Sequence, residues 1–305
     1  MEKYPKIASS GTPGPEINIH KAIVHSLLKD QHPDLAHLPL HKEDEGWDNV
    51  IFRLGDDWAV RLPRRREAAD LIGNEQTWLP QLAKHLPLPV PVTYRKGSPT
   101  KEYPWRWSIL PWLPGNPADI EEPDTSQAMI FASFLTALHK NAPSSAPVNP
   151  WRGVPLEQRA SSAEERMQRL QAHTKLITKE ISGLWHQSVN IPIDSPPKWI
   201  HGDLHARNVL VQGGRIAGII DWGDITAGEI ATDLASVWTI FPDKDARSRI
   251  RSAYTAVSPS TWQRAVGWAI LFAVILLDSG LTNNPRNAAI GEKILRHITE
   301  DRDNL

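Results

Sequence analysis

With 305 residues, 40% hydrophobic and 23% charged, the chain is long enough for one large domain or two lobes, and its ordinary globular composition excludes a disordered or fibrous default. Its 34 lysines and arginines stand against 35 acidic residues, a formal net charge of −1 that lacks the electrostatic footprint of a general nucleic-acid binder. Cysteine is absent, which excludes disulfides, thiolate nucleophiles and cysteine metal sites and fits a reducing, cytoplasmic setting.

Residues 1–15 read as a flexible tail. They carry Pro5, Pro13 and Pro15 but no continuous apolar run, so no secretory signal is expected there. Ile19, Ile23 and Leu27 then recur at helical intervals. From Asn49 to Pro63 the period shortens: NVIFRL and WAVRLP read as two strands joined by a turn at Gly55–Asp57. Helical spacing returns in EAADLIGNEQTWLPQLAKHL, with interruptions expected at Gly73 and Pro80. An extended PLPVPV connector and a short strand from Trp105 to Leu110 follow, ended by Pro111, Pro114 and Gly115, which mark a lobe boundary.

Beyond that boundary the pattern predicts helices over 125–140, 160–187, 229–238, 244–257 and 261–281, the second of them being charged on most faces and therefore solvated. The longest apolar run, Ala265 to Leu277, is shorter than the ~20 residues that cross a bilayer. It is expected as a buried helix, and no membrane partner is expected. Within this helical half, NVLVQ, a Gly-Gly pair and RIAGIID read as a second hairpin. The fold class expected is thus α+β and bilobal, with a β-rich first lobe over 16–113, a hinge at about 109–115 and a helical second lobe over 114–305.

Polar residues gather at the margins of that second hairpin. Asn208 opens its first strand and Asp221 closes its second, so the turn at Gly213–Gly214 returns one beside the other. A carboxylate and a carboxamide oxygen so placed make a hard-oxygen site suited to Mg²⁺. Asp203 precedes the pair by a few residues, close enough to act on a nucleophile, a division of labour suited to phosphoryl transfer. Taken alone, the D-x-x-x-x-N spacing also reads as a turn or cap. His201 and His205 at i, i+4 lack the glutamate of a zinc helix, with Gly202 in its place.

HGDLHARN resembles the kinase catalytic-loop pattern H-R-D-L-x-x-x-N with Gly202 in place of the arginine, and IIDWG resembles D-F-G with tryptophan in place of phenylalanine. The pair together resembles the aminoglycoside phosphotransferase family of kinase-like antibiotic and small-metabolite kinases. The resemblance covers nearly the whole chain and implies a bilobal kinase-like fold. It implies that Asp203 orients or deprotonates a substrate hydroxyl and that Asn208 and Asp221 hold Mg²⁺ on the phosphates of ATP or GTP. His201 and Asp233, the latter in the D-L-A segment, would be structural members of the catalytic loop.

In the first lobe the resemblance puts Arg61 where the family usually has a lysine, with Glu75 as its helix partner. Arginine keeps the charge, and its planar fork can grip a phosphate and a carboxylate together. The segment RLPRR is similar to some macrolide kinases of the family. No G-x-G-x-x-G occurs; the backbone of Trp47, Asp48 and Asn49 would approach the phosphates, and Pro111 and Leu113 would meet the base with one acceptor and one donor.

The activity so implied is transfer of a γ-phosphate to a hydroxyl of a small molecule, an aminoglycoside or another antibiotic first. Homoserine, choline, methylthioribose or fructosamine-type acceptors stand as alternatives, as does a non-catalytic nucleotide-binding module. Trp105, Trp107 and Trp112 read first as packing and hinge support and second as sugar-stacking residues. Glu229 and Asp224 read equally as contacts for a cationic substrate or as helix caps.

Overall fold

The computed structural model describes residues 14–46, 48–255 and 257–304, so the first thirteen residues of the expected tail, and Trp47, lie outside the described residues. The first lobe is built on an antiparallel sheet in the order β1-β2-β3-β5-β4. Its strands are β1 (Leu40–Glu45), β2 (Asn49–Leu54), β3 (Trp58–Pro63), β4 (Arg95–Gly97) and β5 (Trp107–Pro111). Alternation along β2 and β3 sends Val50, Phe52, Leu54, Val60 and Leu62 into a core shared with Val24, Leu27 and Leu28 of helix α1 (Lys21–Gln31). The same alternation turns Arg61 to the other face, toward helix α2 (Arg66–Leu82).

The expected hairpin at Asn49–Pro63 forms in that register, Leu54 opposite Trp58. Two strands escaped the sequence reading for a physical reason. β1 (LHKEDE) buries only Leu40, and β4 is a three-residue edge with two exposed side chains, so neither carries an apolar period. Nor is α2 interrupted: it runs through Gly73 and Pro80. The proline falls in the last turn, where one missing N–H is outweighed by burial of Ile72, Gln76 and Leu79. Trp107 is fully buried, Trp105 packs edge-on to Tyr103, and Trp112 lies under the Arg53 guanidinium at 4.0 Å, so all three support packing and the hinge.

In the second lobe the short strand β6 (Asn116–Pro117) precedes helix α3 (Ala128–Leu138). The stretch expected as one solvated helix over 160–187 is two, α4 (Ala160–Gln171) and α5 (Lys179–Val189), the second capped where Thr178 Oγ1 accepts from Ile181 N. Both bury one face, Ala163, Met167 and Leu170 then Ile181, Trp185 and Val189, against the long helix that follows. After β7 (Lys198–Ile200) comes the second hairpin, β8 (Val209–Gln212) and β9 (Arg215–Ile219), its two-residue turn Gly213–Gly214 at φ 59° and 73° as a type I′ turn requires. β6 pairs with β8, and β7 pairs with β10 (Thr226–Gly228), so this lobe holds more strands than its hairpin.

The helix expected from Glu229 begins later and is two short pieces, α6 (Ala231–Leu234) and α7 (Ser236–Ile240), followed by α8 (Lys244–Ala253). Helix α9 (Pro259–Asn283), capped by Ser258, is longer than the apolar run within it, and 83% of its most apolar window is buried inside the protein. It is the central helix of the lobe. Against it lies α10 (Pro285–Asp301), absent from the expectations above although Ile290, Ile294 and Ile298 recur every four residues and Asn284–Pro285 is a start signal.

α8 is tied to α10 by a buried arginine. Arg247 donates from Nε and Nη2 to the two oxygens of Asp301 (2.8 and 2.9 Å), to Glu300 (2.9 Å), and from Nη1 to the carbonyls of Phe241 and Pro242 (3.1 and 2.7 Å). Asp301 also accepts from Trp238 Nε1 at 3.0 Å. Removing one partner of such a buried pair strands the other charge. Asp301→Ala is therefore expected to lower unfolding stability by about 3 kcal/mol or more in urea titration, and a loss near zero would contradict this account of the lobe.

Candidate active site

The register of β8 and β9 places Val209 opposite Ile219, and Ile220 N donates to the Asn208 carbonyl at 2.9 Å. Asn208 and Asp221 therefore stand at the open end of one hairpin, as its sequence suggests. Asn208 Nδ2 donates to the Asp203 carbonyl (2.8 Å) and faces Asp203 Oδ2 (3.3 Å), which turns its own amide oxygen away from Asp203. Asp221 is the one non-glycine with positive φ (61°) among the described residues, a conformation that costs energy and is found where a side chain must be aimed. An amide oxygen and a half-exposed carboxylate at a hairpin mouth are hard donors, and they fit a magnesium ion that keeps its other positions for water and phosphate.

Arg61 reaches this site from the other lobe. Its Nη1 pairs with Glu75 of α2 and its Nη2 with Asp221 Oδ1 at 2.5 Å. The Asn49 amide oxygen faces Nε and Nη2 (3.1 and 2.9 Å) in the orientation that satisfies both groups. Burial disfavours the charge on Arg61, but Glu75 and Asp221 outweigh it and hold the guanidinium protonated. Burial pushes the Glu75 carboxyl upward, against the pull of Arg61.

The loop between β7 and β8 carries Asp203 and hangs on Asp233. The buried Asp233 carboxylate accepts from the backbone N–H of His201 (2.7 Å) and Gly202 (2.9 Å) and touches His139 Nε2. His201 Nε2 donates to the Ile220 carbonyl (2.9 Å) while Nδ1 accepts from Asp203 N (3.2 Å). His205 Nδ1 accepts from Arg207 N, and its Nε2 lies 3.3 Å from Asp203 Oδ2. These contacts occupy both histidines within the loop, and no metal-holding group of three histidine or acidic residues occurs among the described residues.

Sequence reasoning missed the partner of Asp203 Oδ1. Arg152 Nη2 donates to it at 2.7 Å from a loop 51 residues upstream, and no spacing pattern connects the two. Burial works against ionisation of Asp203, yet Arg152 and His205 outweigh it and hold the carboxyl well below the usual carboxylate range.

The remaining expected residues lie around this centre. Asp48 pairs with Arg65 at 2.5 Å, and the turn it belongs to closes by Gly46 N on the Asn49 carbonyl (2.9 Å). Trp112 N donates to the Asp57 carbonyl (2.7 Å), so the alternation of the β3–β5 ladder turns the Pro111 carbonyl away from β3. Leu113 packs over Gly218 of β9, where a Cβ would come within 2.6 Å of it. Glu229 is taken up by the buried Arg264, which also holds Asp194 at 2.6 Å, so Glu229 faces neither a substrate nor a helix end.

The model of the phosphotransferase enzyme family (APH) matches residues 42–268. The uncharacterized protein YcbJ of Bacillus subtilis (strain 168) is 25% identical, with 74% of this chain and 80% of that protein covered. Among solved structures, wild-type aminoglycoside 2′-phosphotransferase-IIIa in its GDP complex superposes at a TM-score of 0.67 with 18% identity, covering 94% of this chain and 100% of that one. A macrolide 2′-phosphotransferase of type I superposes at 0.58 with 22% identity, covering 90% and 98%. At these identities the structural likeness is one of fold: bilobal, α+β and kinase-like.

A fourth carboxyl, Asp224, adjoins the cluster and accepts from Asn149 Nδ2 at 2.6 Å. Burial, together with the charges of Asp203 and Asp221 and against the pull of Arg152, pushes it up to about 6. Since this lies above the value of about 4 for an unfolded aspartate, the folded state binds the extra proton. Stability therefore falls as pH rises between the two values, and the penalty is complete above the upper one. Asp224→Asn is expected to raise the melting temperature at pH 8 and to change it little at pH 4. A gain of equal size at both pH values would show that charge is not the cause.

Proposed function

The chain belongs to the phosphotransferase enzyme family, and from that premise we propose that it moves the γ-phosphoryl group of ATP or GTP onto a hydroxyl of a small molecule. One observation carries this reading: Asp203, Asn208, Asp221 and the Arg61–Glu75 pair, scattered over 160 positions, meet at one cleft between the lobes. That assembly supports catalysis over a non-catalytic nucleotide-binding role.

The acceptor oxygen attacks the γ-phosphorus in line, the bond from phosphorus to the β-bridging oxygen breaks, and the nucleoside diphosphate leaves with that electron pair. Asp203 faces the acceptor hydroxyl. A carboxyl held below its ordinary range is a weak base, which favours orienting the O–H over removing its proton early; the proton is lost as the new P–O bond forms. Arg61 offers positive charge to the phosphates while Glu75 fixes its position. Magnesium, held by Asn208 and Asp221, would neutralise charge on the phosphate oxygens. Positioning and electrostatics thus supply most of the rate. The Pro111 carbonyl and the Leu113 N–H would meet the purine edge, with Asp48 and Asn49 near the phosphates.

For the acceptor, an aminoglycoside or another antibiotic is the first reading, by family. Macrolides belong to the same set, since the segment RLPRR is similar to some macrolide kinases of the family. Homoserine, choline, methylthioribose and fructosamine-type alcohols complete the set to be screened.

Release of ADP or GDP from Mg-ATP and Mg-GTP, measured against kanamycin, streptomycin, macrolides and those metabolic alcohols, tests the reading. Acceptor-dependent release is expected, with Asp203→Asn lowering kcat about 100-fold or more at unchanged nucleotide affinity. Full turnover by Asp203→Asn would remove Asp203 from its role.

A further inference from the structure

We propose that Arg152 is a positioning residue for phosphoryl transfer, acting through Asp203 from a loop rigidly joined to the segment that follows Asp221; this rests on the phosphotransferase reading above. The Asp203 carboxylate is held at both oxygens. Oδ2 faces His205 Nε2 and Asn208 Nδ2, each at 3.3 Å, whereas Oδ1 takes Arg152 Nη2 at 2.7 Å. The Arg152 bond is the shorter and charge-assisted one, and it fixes the rotation of the carboxyl plane that its weaker partners leave loose.

Arg152 is itself immobilised. Its guanidinium lies over the Phe272 ring of α9 at 5.2 Å, and the negative charges of Asp203 and Asp224 keep it protonated despite burial. The loop bearing it is fastened along its length to residues 224–232. Pro147 O accepts from Thr226 Oγ1 (2.7 Å) and Ala227 N (2.9 Å), and Asn149 N donates to Thr226 Oγ1 (3.0 Å). Asn149 Nδ2 donates to Asp224 (2.6 Å), and Gly153 exchanges bonds with Thr232 Oγ1 (3.2 Å) and Glu229 N (2.8 Å).

Glycines permit the approach. At Gly153, φ 66°, a Cβ would come within 2.7 Å of the Gly228 Cα. At Gly202, φ 86°, it would meet the Asp224 carbonyl at 2.7 Å and the Arg152 Cβ at 3.4 Å. Segments 147–153 and 224–232 are thereby locked into one body, 201–203 packs against it at Gly202, and the Arg152 guanidinium carries that body's charged contact with the Asp203 carboxylate.

A double-mutant cycle on Arg152 and Asp203 tests this, read in two ways. Thermal unfolding of the wild type, R152Q, D203N and the double variant needs no substrate: R152Q is expected to lower the melting temperature markedly alone and little in the D203N background. Additive shifts would overturn the proposal whatever the chain phosphorylates. The transfer step is read as release of ADP or GDP, with orthophosphate, from Mg-ATP or Mg-GTP with water as acceptor. R152Q is expected to lose about 100-fold in kcat, the scale set by misplacing a reacting group, with the nucleotide KM within about twofold and no further loss on top of D203N. R152K, which keeps charge and fold but not the planar fork, is expected to recover about tenfold of that loss, and it decides the matter if R152Q does not fold. Unchanged kcat in R152Q or R152K, or a loss confined to KM, would make the pair merely structural. A wild type that releases no ADP or GDP under any condition would sink the phosphotransferase reading, and Arg152's role with it.

Discussion

A guanidinium buried between two lobes can persist only if carboxylates from both sides neutralise it, and Arg61 sits under that constraint. Glu75 comes from the helix behind the first sheet and Asp221 from the hairpin of the second lobe. Burying a lone charge would cost several kcal/mol, so strand β3, helix α2 and the Asp221 turn have to be positioned together. The positive φ of Asp221 follows from the same demand, since the backbone must turn to send that carboxylate into the cleft. From this one ionic bridge the rest of the cleft can be traced: the hairpin mouth brings Asn208, Asn208 holds Asp203, and Asp233 suspends the loop that carries both.

The remaining acids of the second lobe are largely spoken for. Glu229 and Asp194 converge on Arg264, Asp301 and Glu300 on Arg247, and Asp203 on Arg152. Hard-looking clusters of charge in the sequence therefore resolve into closed pairs, and Glu229, readable from sequence as a contact for a cation, is neutralised by its own fold. Asp224 is the exception. Its hydrogen bond comes from an amide, and burial with two like charges nearby raises its carboxyl against the pull of Arg152.

What could be read from the residues follows the range of the forces involved. The second hairpin was legible because a Gly-Gly turn and alternating valines and isoleucines fix a register locally, and that register alone brings Asn208 beside Asp221. Arg61 was legible through the resemblance, which puts it where the family usually has a lysine, and the period-two alternation of β3 explains why it turns away from the sheet's core. The α4–α5 break was written in Thr178 but hidden by flanking charge, and β1 was hidden because five of its six side chains face water. Arg152 was beyond reach. Its place depends on hydrogen bonds to Thr226, Asp224 and Thr232, about 75 residues further on, and no local pattern encodes a partnership made by loop against loop.

The two ends of the cleft are consequently built to different standards. The groups that the proposed reading gives to the nucleotide sit on strands and a helix, where ladder hydrogen bonds and alternation leave little freedom: Arg61 on β3, Glu75 on α2, Pro111 at the end of β5, Asn208 and Asp221 at the hairpin. On the side of Asp203, Arg152 sits on the 147–153 loop, which is fastened to 224–232 and presents Val148 and Trp151 to solvent. Exposed side chains of that loop can change while its fastening and Arg152 stay intact, whereas the groups on the sheet cannot move without rebuilding it. The family is therefore legible in the sequence, because the motifs that carry it sit at the ends of periodic elements, and the acceptor is not, because no periodic element marks it.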